Sequence, residues 1–377
     1  MTKNYFLRLL QTSLMCCLAF TLTNCGNIDN PLEELPTTPS DPKLATPLTM
    51  EALTAGTIVV SNPKSGMQYS LNGGTKTAVS GDITVAIGDK VAFYGNGTSI
   101  SKYSGTEIAG GTAEVKVYGN IMSLIDEKGF ANNKTIPSET QVFPYLFLGN
   151  AKLKDASGLL LPATTLYRKC YEGMFRNCSS LTNVPELPAT TLAESCYAAM
   201  FMGCTSLTTA PELPATTLAA SCYEAMFSGC SSLTTAPELP VTTLADRCYY
   251  SMFNGCTSMT TAPELPATTL TAGCYEGMFR DCSSLTTAPE LPATKLTNYC
   301  YYTMFFGCSK LSSVTCLATD ISAEGCTEKW LTKAGLDASV TTRTLHIKTG
   351  QNTSDARWNL SSSGDGSSNK WTAVADK

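Results

Sequence analysis

The sequence predicts an α/β solenoid, with one short parallel strand and one short helix per repeat, behind a small all-β sandwich-like module. The first observation is periodicity. A cysteine falls at 170, 196, 222, 248, 274, 300 and 326, and a second eight residues on, at 178, 204, 230, 256, 282 and 308. A fixed period of this size means units that cannot bury their apolar side alone and so share one core. The second observation is the spacer LTTAPELPATTLA, nearly unchanged between copies. The third is a change of character over residues 48–120, where short apolar runs alternate with turn residues.

Within a copy, Cys170 to Cys178 reads as a helix at about 100° per residue. Cys170, Met174 and Cys178 then share a face flanked by Tyr171 and Phe175. Glu172 and Arg176 fall outside it as an exposed pair of opposite charge, repeated by Glu276 and Arg280. The other copies vary at these two positions: Ala198 and Met202, Glu224 and Ser228, Tyr250 and Asn254, Tyr302 and Phe306. Leu207 to Ala210 is β-prone and is stopped by Pro211. It reads as one strand of a parallel sheet, with Leu207, Ala210, Leu213 and Leu218 pointing inward.

The motif CYxxMFxGCxSLTxxPxLPxTxL, seen in Met226, Phe227, Gly229, Cys230 and Leu233 and their equivalents, resembles the BspA-type leucine-rich repeats of bacterial surface proteins. It covers a little under half the chain. The resemblance implies a leucine-rich-repeat arc and a surface-exposed protein that binds host or matrix molecules. Three positions depart from the pattern. Asn177 and Asp281 replace the glycine before the second cysteine, and Cys316 stands where other copies have Glu.

Residues 1–25 read as a targeting leader: Lys3 and Arg8, then an apolar run at Leu14 to Leu22 that is too short to span a bilayer. Leu22-Thr23-Asn24-Cys25 resembles a bacterial lipoprotein box, which makes Cys25 the lipidated residue and places the chain on the outer membrane, facing outward. Residues 26–47, with five prolines among Thr, Ser and acids, form a tether. In 48–120, strands are predicted at Thr57 to Val60, Met67 to Leu71, Ile83 to Ile87, Lys90 to Tyr94 and Ala113 to Val117, with a hairpin turn at Asn72-Gly73-Gly74. A connecting helix (Ile121 to Lys128) and loop fill 121–142. The repeats occupy 143–326, opening with an imperfect copy that has Asn150 in place of Cys. A cap occupies 327–377, with a helix at Cys326 to Ala334, an edge strand at Arg343 to Lys348, a polar loop at Ser361 to Ser368 and a last strand at Lys370 to Val374.

A net charge of −5 without clustered Lys or Arg excludes nucleic acid as a partner. Of seventeen cysteines, those beyond Cys25 lie in the repeats. The spacing of helix positions keeps the two columns too far apart for disulfides, so they read as small buried residues. Cys316, off the columns, reads as an exposed or paired thiol. There is no CxxC pair for zinc. The single histidine, His346, sits in the predicted edge strand, and no GxSxG elbow or phosphate loop occurs, so no catalytic residue and no cofactor are expected. Candidate ligand contacts are Tyr250, Asn254, Tyr302 and Phe306 on the variable face. A second set is the paired threonines, Thr208 with Thr209 and Thr234 with Thr235. A column of glutamates at 186, 212, 238, 264 and 290 is either solvated or bridged by a cation, for which calcium is the natural choice. The functional expectation is an anchored, non-catalytic module that binds a host, matrix or glycan ligand; the alternative is a structural spacer of the cell surface.

Overall fold

The computed structural model describes residues 42–95, 105–137, 141–360 and 370–377, all within one compact unit, Pro39–Lys377. The leader with Cys25, most of the tether and the polar loop from Ser361 to Ser368 lie outside the described residues. Among the described residues nine strands precede the repeats: β1 (Thr49–Ala52), β2 (Gly56–Ile58), β3 (Val60–Ser61), β4 (Gln68–Leu71), β5 (Thr77–Ala78), β6 (Ile83–Val85), β7 (Lys90–Tyr94), β8 (Glu107–Ile108) and β9 (Val115–Asn120). A tenth, β10 (Leu153–Leu160), comes from the imperfect first copy and lies parallel to β9. It completes a six-stranded sheet in the order β10-β9-β1-β7-β4-β5, while β2 pairs with β6 and β3 with β8. The expected sandwich is therefore one principal sheet with two small ladders. At the hairpin, Asn72 and Gly73 take φ of 53° and 73°. The Gly74 N–H donates to the Leu71 carbonyl at 2.9 Å, a primed turn suited to the strand twist. The connecting helix is a single 3-10 turn, Ile121–Leu124, capped by the Asn120 side chain.

The repeats correct the fold class. Among the described residues there is no α-helix, and the strands belong to several small sheets. A solenoid of the α/β leucine-rich-repeat kind, with one helix per copy, is overturned. The segment Cys196 to Cys204 shows what replaces the helix. Its N–H groups alternate in destination. Those of Cys196, Ala198, Met200, Met202 and Cys204 donate three residues back, at 3.0 to 3.2 Å. Those of Tyr197, Ala199, Phe201 and Gly203 donate to carbonyls of the next copy, at Cys222, Glu224, Met226 and Ser228, over 2.7 to 3.1 Å. The segment is thus a series of overlapping turns, with a left-handed residue every fourth position: Ser195, Ala199 and Gly203 at φ 54°, 53° and 74°. Side chains then fall two in, two out. Cys196 with Tyr197, Met200 with Phe201, and Cys204 are all buried. An α-helix cannot accept a left-handed residue every fourth position. The expected helical ion pairs are absent accordingly: Glu172 pairs with Lys169 and Arg280 with Asp281.

The left-handed requirement explains the departures at the position before the second cysteine. Gly203, Gly229, Gly255 and Gly307 share it with Asn177 (φ 61°) and Asp281 (φ 57°), the other residue types that visit this region. The spacer segments are held to one another by single parallel bridges, as at Thr191↔Thr217, Thr209↔Thr235 and Thr261↔Thr287, rather than by full strands.

Inside, equal side chains lie over one another. Tyr171, Tyr197, Tyr223, Tyr249, Tyr275 and Tyr301 stack at ring-centroid distances of 5.8 to 6.3 Å. Phe175 to Phe305 form a second column at 5.6 to 5.8 Å. All fourteen repeat cysteines are buried and free. The second of each pair has a specific partner: the thiols of Cys178, Cys204, Cys230, Cys256, Cys282 and Cys308 donate to the Phe carbonyl of the preceding copy, at 3.0 to 3.2 Å. In the first copy Asn150 holds this position and does the same work. Its side-chain amide donates to the Ile108 carbonyl of β8 at 3.0 Å, which joins the repeats to the sheet module.

At the other end, β11 (Ser313–Cys316), β12 (Thr344–Ile347) and β13 (Thr372–Ala375) form a parallel sheet in that order. The expected edge strand is therefore the central one. Cys316 is an inward position of β11 and is fully buried, which corrects the expectation of an exposed or paired thiol. The expected helix at Cys326 to Ala334 is again a run of turns, with Lys329 and Lys333 at φ 56° and 59°. Trp330 and Trp358 continue the Tyr column, and the Trp330 indole donates to the Trp358 carbonyl at 2.8 Å.

Gly229→Asn is expected to leave stability nearly unchanged, because a Cβ there would meet only ordinary contacts, 3.6 Å from Gly203. Gly229→Val, a β-branched residue at a left-handed position, is expected to lose about 2 kcal/mol; urea unfolding compares the two. Burial pushes the thiols of Cys178, Cys230 and Cys282 from an ordinary 9.0 up to about 12. Above the unfolded value the unfolded chain binds fewer protons than the folded one. Stability from these groups is thus complete below about pH 9 and declines as pH rises toward about 12. Urea midpoints across that range are expected to fall.

Candidate functional site

Two surfaces emerge from this geometry. The first is built by the outward pairs of the turns. Tyr250 and Tyr302 occupy the first outward position, and Asn254 and Phe306 the third; all four are half-buried. The structure gathers Tyr302 and Phe306 into one patch and leaves Tyr250 and Asn254 two copies away. In the patch, Tyr302 meets Tyr299 edge to face at 5.9 Å. Lys329 lies 5.9 Å from the Tyr302 ring, and Arg280 and Lys333 lie 4.9 and 5.6 Å from the Phe306 ring. Tyr299, one of the few exposed large apolar side chains, donates its hydroxyl to Glu324 at 2.5 Å. That bond, first among the causes, raises the Tyr299 phenol above its ordinary value. Tyr250 lies beneath the Arg247 guanidinium, 3.9 Å from the ring centroid. Arg247 also pairs with Glu224 at 3.8 Å. Nearby, burial raises the Glu276 carboxyl, with Arg247 opposing and Glu224 adding to the shift. Rings carrying cations on their faces suit flat or anionic groups and contribute about 0.5–1 kcal/mol each at exposed sites.

The second surface is the spacer face. Thr208, Thr209, Thr234 and Thr235 are exposed, but each pair divides its work. The Thr234 hydroxyl donates to the Thr208 carbonyl at 3.3 Å, as Thr286 does to Thr260 at 3.1 Å. Thr209 and Thr235 are joined through a backbone bridge. The glutamate column is exposed throughout. Among the described residues no three His, Cys, Asp or Glu side chains gather to hold a metal ion, so the calcium alternative gains no support.

His346 lies in β12 and donates from Nδ1 to the Asp376 carboxylate at 2.9 Å. Sequence reasoning missed Tyr299 and the cations over the rings, and it read Pro211 as the end of a strand, not as part of the spacer face. A signal for the spacer face was present: five copies carry two prolines flanking Glu-Leu, at 185–188, 211–214, 237–240, 263–266 and 289–292, which fixes a rigid extended edge. No family model, curated protein or solved structure matches this chain.

Proposed function

We propose that this protein is a non-catalytic binding module, anchored to the outer membrane through a lipid on Cys25 and presenting its repeats to a host, matrix or glycan ligand. The observation that carries this reading is the contrast between an unvarying core and varied outward turn positions. Cys, Tyr, Met and Phe recur inside the six regular copies from Cys170 to Cys308, while the outward residues range from Glu172 to Tyr302 and end in the cation-bearing aromatic patch. Aromatic side chains are large and lose little freedom on binding, which suits them to contact surfaces. The motif's resemblance to BspA-type repeats and the lipoprotein-like segment support the placement. An acidic chain without clustered Lys or Arg does not suit nucleic acid.

A second reading, a structural spacer of the cell surface, is favoured by the near-identity of the spacer segments. The two part under mutation. Replacing Tyr250, Tyr302 and Phe306 together by Ala is expected to weaken capture on glycan and matrix-protein arrays at least tenfold, with circular dichroism unchanged. If wild type and variant both show only background, the spacer reading takes over.

A further inference from the structure

The ladder of spacer segments is closed at one end and open at the other. It starts against the sheet module, where β10 lies on β9. It continues through single bridges such as Asp155↔Asn183, Thr209↔Thr235 and Leu291↔Cys316. It ends on β13, the outermost strand of the β11-β12-β13 sheet, whose outer side pairs with no strand among the described residues.

Backbone groups alternate in direction across this sheet. The Thr344 N–H donates to the Ser312 carbonyl, on the β11 side, and the Thr372 N–H to the Arg343 carbonyl, each at 2.9 Å. Thr372 and Val374 therefore turn their backbone groups to β12, and Trp371, Ala373 and Ala375 turn theirs outward. A row of outward N–H and C=O groups is a template for another strand unless charge, proline or a bulge blunts it. The residues of β13, Thr-Ala-Val-Ala, carry no charge and no proline, and their register on β12 is unbroken. Side chains alternate too. Trp371 is buried, and Ala373 and Ala375 pack on the core. Thr372, Val374 and the flanking Lys370 and Asp376 are exposed.

The order of these residues favours a second copy of the same chain. Two identical edges join antiparallel about a twofold axis. With the axis at Ala373, Trp371 faces Ala375 of the second copy, Thr372 faces Val374, and Lys370 faces Asp376 at both ends of the pair. Outward backbone groups then meet outward ones, and the core faces continue each other. Opposite charges lie directly opposite, the favourable cross-strand arrangement. Asp376 is already held in place by His346, whose Nδ1 donates to it at 2.9 Å. An axis at Thr372 sets Lys370 against Val374, and an axis at Val374 sets Asp376 against Thr372, so either shift leaves the charges unmatched. An unrelated strand would meet the backbone equally well but would lack the two matched charges. We infer that β13 is the interface of a twofold dimer, in which two copies join edge to edge into one continuous sheet. This goes beyond the binding-module reading and does not depend on any ligand. The contact is small, and interfaces below about 1,000 Å² are weak or transient. A closed twofold stops at two chains.

Sedimentation of the full protein over a concentration series reaching about 1 mM is expected to show one chain giving way to two, with no larger species. Ala373→Pro removes an outward N–H at an edge position where proline is tolerated. It is expected to weaken association at least tenfold, with a urea midpoint near that of wild type. Lys370→Glu, and separately Asp376→Lys, set like charges opposite each other, and each is expected to weaken association about tenfold at low salt. An equimolar mixture of these two variants is expected to recover wild-type affinity, because opposite charges then meet at both ends of the mixed pair. Chains that stay single throughout the series, a proline variant that associates as wild type does, growth past two chains, or a mixture no tighter than its separate variants would each overturn the assignment.

Discussion

The repeats depend on one kind of bond: the backbone N–H that leaves its own turn for a carbonyl of the next copy. In each turn segment alternate N–H groups leave in this way and the rest close local turns. No copy satisfies its own backbone, and a buried unpaired N–H is costly, so the copies form together or not at all. The same alternation sets the side-chain pattern. Because every fourth residue is left-handed, two side chains go inward and two outward, and like positions fall directly over one another. Tyr lies on Tyr and Phe on Phe because the backbone repeat places them there; near-parallel rings only 2–11° apart in the central copies follow from it.

A row of this kind has two ends, and each end borrows the chemistry of the middle. In the middle, a thiol donates to the Phe carbonyl one copy back. At the first copy no earlier repeat exists, and Asn150 donates instead to Ile108, whose own N–H donates to the Leu146 carbonyl. A short strand of the sheet module thus stands in for a missing copy. At the far end Trp330 and Trp358 extend the Tyr column, and the Trp371 indole donates to the Ala334 carbonyl. Larger rings suit positions where the neighbouring copies are less regular.

The period, the inward columns and the atypical ends were legible in the sequence; the local geometry was not. Apolar residues at the first, second, fifth, sixth and ninth positions fit one face of a helix with 3.6 residues per turn. Over so short a span they fit a four-residue period equally well. What separates the two is the glycine, asparagine or aspartate before the second cysteine and the glycines at 173 and 277, both left-handed. Glycine there argues against a helix interior. Strand β1 was hidden because Thr-Met-Glu-Ala has little β propensity and is held by pairing on both sides, with β7 and β9. Strand β10 was hidden because its segment was read as part of a repeat. Of the candidate contacts, Tyr302 and Phe306 do come together, while the cations over their rings come from neighbouring copies and leave no local trace in the sequence.

The near-identity of the spacer segments looks at first like evidence against recognition, since identical surfaces cannot tell one irregular partner from another. That holds for a partner without a period. A ligand that is itself a repeat is read differently: each further copy adds the same contact, and the linked contacts gain from high effective concentration. A substituted copy on such a face would remove one contact of the row and leave the spacing of the others unchanged. On the turn face the copies differ. Uniformity on one face and diversity on the other thus mark two faces of one backbone held to different constraints: bridged spacer against bridged spacer on one side, free outward turn positions on the other.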